Sequence, residues 1–593
     1  MKAGFHQSIL MTLISRALLA GLACVTLSAC VTPSATYTNW TPDTKPPEAD
    51  QYSDFLIGRF ASLTNDPTLA AETYIRASNR EPEDPVLLER AVFSTLLAGE
   101  TNEAVRLARS GRFMEEDLSS LTRLTLGVAE MRDGDYDDAL EYLTSRDLGP
   151  FNRIVARGVS AWAAVGEGDL DASKSYLIES LVGDDVLDGV TLYMLALVQL
   201  ASGQEDQAIS TFEAVWNEGM RLAIASEYYM RLVASRGDRD LALKLAEQFS
   251  ADVGQNPSIE ALKRQLLAGD TIIVPPLSPQ VGSAISVYAL ASALAAETRD
   301  DVASVYFNLA LSLNPDLHIA RSMLGSTLEA ADRDGEAIIV LNDVSRASPF
   351  YATSQGQLAW IYLKLQEGDR AVQIAKAGFE ATGDRDLAIQ VGDIYRSMDQ
   401  YDQAFEWFDR VVTSDEAEGR EEWGAYFARA VAYHELGDWD AAEADLLRAK
   451  ELDPDQALVL NYLGYSWVDR GEHLEEAFDL IRDAVNLRPN SGYIVDSLGW
   501  AYYRLGQFDQ AVHHLERAVE LSPDDPTLND HLGDAYWRVG RELEARFQWR
   551  HALAMEPDAD QIPLIEAKLE NGLDQTEPAF LAEDLQDAAI VQP

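Results

Sequence analysis

NYLGYSWVDRGEHLEEA at 461–477, GYIVDSLGWAYYRLGQFDQAVHHLERA at 492–518 and LNDHLGDAYWRVGRELEARFQWRHAL at 528–553 are three variants of one pattern. Pro454, Pro489, Pro523 and Pro557 punctuate them at spacings of 35, 34 and 34 residues. Each stands between two helical runs, where a residue that restricts its predecessor and ends a helix belongs. Between the prolines come Leu463-Gly464, Leu498-Gly499 and Leu532-Gly533, then the turn glycines Gly471, Gly506 and Gly540. Ala477, Ala511 and Ala545 follow, and after them Ala484, Ala518 and Ala552. Small residues in a fixed phase among large apolar ones predict two amphipathic helices per unit that cross closely.

This pattern resembles the tetratricopeptide repeat (TPR), an antiparallel helix pair of about 34 residues. The resemblance implies an all-α fold, a TPR α-solenoid coiled as a right-handed superhelix of about 14 helix-turn-helix repeats. The register extends upstream. Pro315 and Pro349 keep the spacing, with Leu324-Gly325, Ala303 and Ala337 in phase, and Pro82 closes an early unit carrying Gly58, Ala70 and Ala77. Weaker units fall through Gly99 with Ala104, Gly134 with Ala139, Gly203 with Ala208, Gly237 with Ala242, Ala371, Ala404, and Gly437 with Ala442. The stretch near 152–187 is the least regular.

Three departures set the expected boundaries. One residue is inserted between Gly471 and Ala477, so that turn is longer than its neighbours. AGDTIIVPPLSPQVG at 268–282 breaks the helical pattern with three Pro and is the expected linker between an N-terminal array, 51–267, and a C-terminal one, 283–557. QIPLIEAKLENGL, within 558–573, is the expected capping helix for the last unit. The tail at 574–593 has five acids and no base, and is expected to be disordered.

The 593 residues carry 47 Lys and Arg against 98 Asp and Glu, a net charge of −51. Phosphate binding draws on clustered cations, so nucleic acid and anionic lipid headgroups are poor partners for this chain. Both cysteines lie at the start, Cys24 and Cys30, so no disulfide framework can staple the body. Lys2 and Arg16 precede a short apolar run, Ala17–Thr26, that suits a signal-peptide core and is too short to span a bilayer. It ends in Leu27-Ser28-Ala29-Cys30, which resembles the lipobox of bacterial lipoproteins. The resemblance implies a signal peptide at 1–29 and a lipidated Cys30. Losing Lys2 and Arg16 would leave 45 bases against 98 acids, or −53. Several acyl chains on one Cys hold a protein at a membrane without any basic patch. Val31, rather than an Asp, follows the Cys, and by resemblance points to the periplasmic face of the outer membrane. Residues 30–50, rich in Pro and Thr, read as a tether with a reach of at most roughly 60 Å at ~3.1 Å per residue.

Catalytic patterns are missing: there is no Gly-rich loop ending in Lys-Ser or Lys-Thr, no Gly-x-Ser-x-Gly, no His-Glu-x-x-His and no Cys pair for zinc. Asp332-Arg333-Asp334-Gly335 begins like a calcium loop without its later ligands, in a turn where Asp and Gly are expected anyway. His513 and His514 are neighbours on a helix and point about 100° apart, so they read as helix-surface residues and not as ligands of one ion. The chain is expected to be no enzyme and to need no metal or cofactor.

More informative are the aromatic first helices. In tetratricopeptide arrays the first helix of each unit lines the concave surface, and the resemblance places Trp360, Phe427, Tyr462, Tyr465, Tyr493, Trp500, Tyr503 and Trp537 there. Asn461, Asp496, Arg504, Asp530, His531, Asp534 and Arg538 interleave with them. Rings give contact area at low entropic cost, and Asn, Asp and Arg can pair with a peptide, so this set is the expected protein-binding groove. The alternative for several of these rings is packing between adjacent units.

With the lipobox and the upstream units, residues 461–552 resemble the large tetratricopeptide outer-membrane lipoproteins of proteobacteria. One group of these, the LbcA-like proteins, are adaptors for periplasmic carboxyl-terminal processing proteases and help deliver cell-wall hydrolases to them. The resemblance implies a non-enzymatic scaffold, lipid-anchored in the outer membrane, holding such a protease and its substrates. The alternative is an assembly or export factor for outer-membrane proteins, pili or exopolysaccharide.

Overall fold

The computed structural model describes residues 47–110, 118–144, 148–181, 183, 185–297 and 302–573. The signal peptide, Cys30, most of the tether and the acidic tail lie outside them. Among the described residues there are 30 helices and no strand. They pair as successive helical hairpins, except for Pro257–Ala268 and Ile562–Asn571. The first helix, Pro47–Leu63, begins inside the segment read as tether, because Pro47 is a suitable first-turn residue.

The repeat code has a direct physical basis. A Cβ on Gly499 would stand 2.6 Å from Leu515, and one on Gly533 would stand 2.5 Å from Trp549, so the paired helices touch at glycine. Ala477, Ala511, Ala545, Ala484, Ala518 and Ala552 are all fully buried on the second helices. Seven residues after the helix-crossing glycine, the turn demands a left-handed backbone. Gly134, Gly471, Gly506 and Gly540 supply it, and Asn65, Asp332 and Asp399 take the same conformation at the equivalent turn. The Asp332–Gly335 segment is such a turn. The extra residue near 471 is absorbed by His473, left-handed at φ 48° and packed on Trp467. Helix starts follow their side chains: Asp66, Asp84, Asp169, Asp238 and Asp525 each accept a backbone N–H of the first turn.

The described residues fall into two compact units that divide between Leu387 and Ala388. The Pro-rich segment does break the helical run, with no helix between Ala268 and Pro279. It does not end a unit. Beyond it, the hairpin Pro279–Glu297 and Val302–Leu313 packs on the first helices of the earlier hairpins, chiefly Gly149–Glu167, Ser120–Asp133 and Pro85–Leu97. The contact with Gly149–Glu167 is as close as backbone allows, since a Cβ on Gly282 would lie 2.1 Å from the Trp162 ring. Trp162 Nε1 donates to Ser286 Oγ at 3.2 Å, and Tyr306 Oη to Asn152 Oδ1 at 2.8 Å. Asn308 Nδ2 donates to the Leu96 carbonyl, Arg333 Nη2 to that of Leu97, and Asn65 Nδ2 to that of Ala331. The inner face of the N-terminal hairpins is thus filled by the chain's own next hairpin.

In the C-terminal unit Ile562–Asn571 closes the last hairpin. Ile565 and Leu573 join the core of Trp549, Leu532 and Tyr536. Arg546 Nη1 donates to the Leu569 carbonyl, and Gly572 lies against Trp537.

Candidate functional site

A cavity of about 500 Å³ opens in the C-terminal unit between Gly492–Arg504, Pro526–Arg538 and Ile562–Asn571. Tyr465, Tyr493, Asp496, Trp500, Tyr503, Arg504, Asp530, His531, Asp534 and Arg538 line it. Helical spacing explains the grouping. Asp496, Trp500 and Tyr503 share one face of their helix, as do Asp530, His531, Asp534 and Arg538 of the next.

The floor is a stack. The Trp500 ring is nearly parallel to Tyr503 at 4.7 Å and to His531 at 4.0 Å. Arg538 Nε donates to Tyr503 Oη at 3.1 Å, and Arg504 Nη1 to Asp469 at 2.8 Å. Trp500 and Tyr503 are each only 6% exposed, so they join neighbouring hairpins and do not present free faces. That differs from their expected place as surface rings, because the next hairpin seats His531 on Trp500. Tyr465 and Tyr493 are partly buried at the rim, Tyr465 packing against the core of Trp500 and Tyr503.

Charge in the cavity is arranged in two linked groups. His531 Nδ1 stands 2.9 Å from Asp496, with both side chains buried. Burial opposes its charge, but Asp496, helped by Asp530 and Asp534, outweighs burial and lifts the imidazole above its ordinary value. Lys568, from the capping helix, places Nζ 2.7 Å from Asp530 and 2.8 Å from Asp534. Burial works against the ammonium, yet the two carboxylates hold it above its ordinary range. Asp534 also accepts from Trp549 Nε1 at 2.8 Å. Asp530 is pushed up to about 6, first by burial and then by Asp534, against the pull of Lys568 and His531. The acids that could suggest catalysis are tied to Lys568 and His531. Lys568 escaped the sequence reading. Its signal was a Lys amid the apolar positions of the capping helix, opposite three acids of the two preceding first helices.

The remaining expected groove residues lie elsewhere. Tyr462 is buried, with Oη 2.8 Å from His434 Nδ1 and its ring edge-on to Phe427 at 5.6 Å. Phe427 and Asn461 are buried as well. Trp537 packs on Trp549 at 5.5 Å under Arg546. Trp360, 41% exposed, belongs to the N-terminal unit. A second cavity, about 600 Å³, lies in that unit beside Leu97–Asn102, lined by Asn308, Arg321, Leu324 and Ile339 without an aromatic ring. Among the described residues no three His, Cys, Asp or Glu are placed to hold a metal, and no helix is long and apolar enough to cross a membrane.

Comparison with known proteins gives matches of the same kind. Models of the tetratricopeptide repeat match residues 423–456, 386–418 and 191–218, and a TPR repeat model matches 499–540. A Pseudomonas aeruginosa protein described as TPR repeat-containing protein PA4667 is 35% identical over 91 residues, which span 15% of each protein. Among solved structures, the Cut9–Hcn1 hetero-tetramer of the APC/C overlays with a TM-score of 0.39 at 17% identity, covering 88% of this chain and 96% of that one. TTC0263, a TPR protein of Thermus thermophilus, gives 0.29 at 21%, covering 32% and 99%. The repeated hairpins, their small-residue crossings and the repeat matches make the chain a tetratricopeptide-repeat protein.

Proposed function

We propose that the protein is a non-enzymatic scaffold, anchored in the outer membrane through lipid on Cys30, whose C-terminal unit binds other proteins in the periplasm. Its partners are a carboxyl-terminal processing protease and the cell-wall hydrolases that the protease degrades. The observation that carries the binding role is the C-terminal cavity, where half-buried tyrosines and paired charges from successive first helices surround about 500 Å³. The lipobox and the family resemblance of residues 461–552 support the anchor and the partner class. Scaffolding of this kind acts by raising effective concentration, which requires no bond-making residue in this chain.

Affinity capture from a membrane extract tests the reading. The wild-type chain should recover a protease of that type, and Tyr493→Ala should reduce recovery about tenfold while melting shifts little. Recovery of envelope-assembly or secretion proteins alone would overturn the partner assignment.

A further inference from the structure

The outer face of the last hairpin differs from that of its two predecessors. Ala477, Ala511 and Ala545 hold one position in successive second helices, so Leu543 corresponds to Glu475 and Asp509, and Phe547 to Asp479 and His513. All six side chains are exposed. These positions therefore look outward in each hairpin and are covered by no neighbouring repeat, yet of the three only the last makes them apolar, with Leu543 83% and Phe547 60% exposed. Arg550 and His551 extend the same face, three and four places on from Phe547, and the His551 ring stacks on Phe547 at 6.2 Å. Among the described residues Arg550 pairs with no carboxylate; its Nε donates to the Arg546 carbonyl at 3.0 Å.

An apolar patch beside an unanswered cation, on a chain of net charge −51, suits an acidic segment that also carries apolar residues. Residues 574–593 are such a segment, with five acids and no base, and with Phe580, Leu581 and Leu585 between Glu577 and Asp587. They start beside the face. Leu573, the residue before them, is buried in one core with Trp549, which stands two places from Phe547 and one from Arg550. The seven residues from Leu573 to Phe580 reach about 23 Å when extended, more than the roughly 20 Å length of the helix Glu542–Ala554. The cavity is the poorer receiver of an acidic segment, since His531, Lys568 and Arg504 already face Asp496, Asp530 with Asp534, and Asp469.

We propose that residues 574–593, for which composition alone suggests disorder, fold back onto the outer face of Glu542–Ala554, the apolar residues near Phe580 covering Leu543 and Phe547 and the acids meeting Arg550. This goes beyond the scaffold reading and does not depend on which protein the cavity binds.

The test uses the purified full chain. Paired thiols, one at position 582 and one on the body, are joined with a short bismaleimide, and the linked peptides are separated by mass spectrometry from those of Cys24 and Cys30. E544C, beside Leu543 and Phe547, should join A582C within one chain about tenfold more than E570C does, although Glu570 is also exposed and is nearer in sequence. L543S with F547S should erase that preference at unchanged helical content; a preference that survives both changes would overturn the proposal. Joining at E544C that is absent, or no greater than at E570C, would overturn it too, since the face would then be bare. Preferential joining to Y493C would put the segment in the cavity, and joining between two chains would give the face to a second copy; either result defeats the assignment.

Discussion

The two units are built from the same hairpin and end with opposite inner faces. In the N-terminal unit the surface formed by the first helices is filled by Pro279–Glu297 and Val302–Leu313, seated through Gly282 on Trp162. In the C-terminal unit the corresponding surface keeps a cavity, and the capping helix Ile562–Asn571 contributes Lys568 to its wall. A repeat array does not by itself present a groove. The face is available to a partner only where the chain does not use it for its own packing; in the N-terminal unit that packing leaves the ring-free cavity beside Leu97–Asn102, and in the C-terminal unit one lined by tyrosines and paired charges.

Five measurements test the contrast. Trp500→Ala removes the floor of the C-terminal cavity and should cost about 3–5 kcal/mol, as for other buried Trp truncations. Urea unfolding followed by circular dichroism would check it, and a loss below about 1 kcal/mol would mean the ring is not inter-repeat core. Lys568→Met leaves Asp530 and Asp534 without their cation and should cost about 3 kcal/mol at neutral pH. The same cluster fixes the sign of a pH effect. Folded Asp530 binds its proton to about 6, above its ordinary 3.8, and His531 holds its proton above 6.5. At these two sites the folded state is the better proton binder, so the stability they contribute should be lost as pH rises through the raised range of Asp530 and then that of His531, with His514, lowered by burial, acting in the opposite sense. Asp530→Asn should flatten the lower part of that slope in a pH series of melts.

Gly282→Val tests the filled face. Its methyls would enter the Trp162 ring, and the expected cost is about 1–3 kcal/mol. Hydrogen exchange should show faster exchange in 149–167 and 279–297 with the C-terminal unit unchanged; uniform loss of protection would contradict two separate units. Trp360→Ala should be smallest, within about 0.5 kcal/mol for an exposed ring, read as a shift in melting.

The hairpin repeat was legible because it rests on local rules: a proline between units, glycine where helices touch, and a left-handed turn residue seven places later. The filled inner face was not. Gly282 read as the end of a linker and Ser283 and Ser286 as the start of the C-terminal array, and nothing in their sequence indicates that Trp162, more than a hundred residues earlier, supplies the other half of the contact. The site divided in the same way. Phase placed Asp496, Trp500, Tyr503, Asp530, His531 and Asp534 on common helix faces, but burial of Trp500 depends on His531 from the next hairpin. Tyr462 and Phe427 show the same limit, since a ring on a first helix can turn toward its neighbour's helix as easily as toward the groove.

The self-filled inner face also has a kinetic consequence. An open array has only near-neighbour contacts, so folding can begin anywhere and spread along the chain as it emerges. Here Asn308 bonds to the Leu96 carbonyl across 212 residues and Asn65 to that of Ala331 across 266. Such long-range closures raise contact order and slow folding. The N-terminal hairpins should therefore wait, with apolar inner faces open, until about residue 331 has been delivered, and that interval is when the emerging chain has most need of a chaperone.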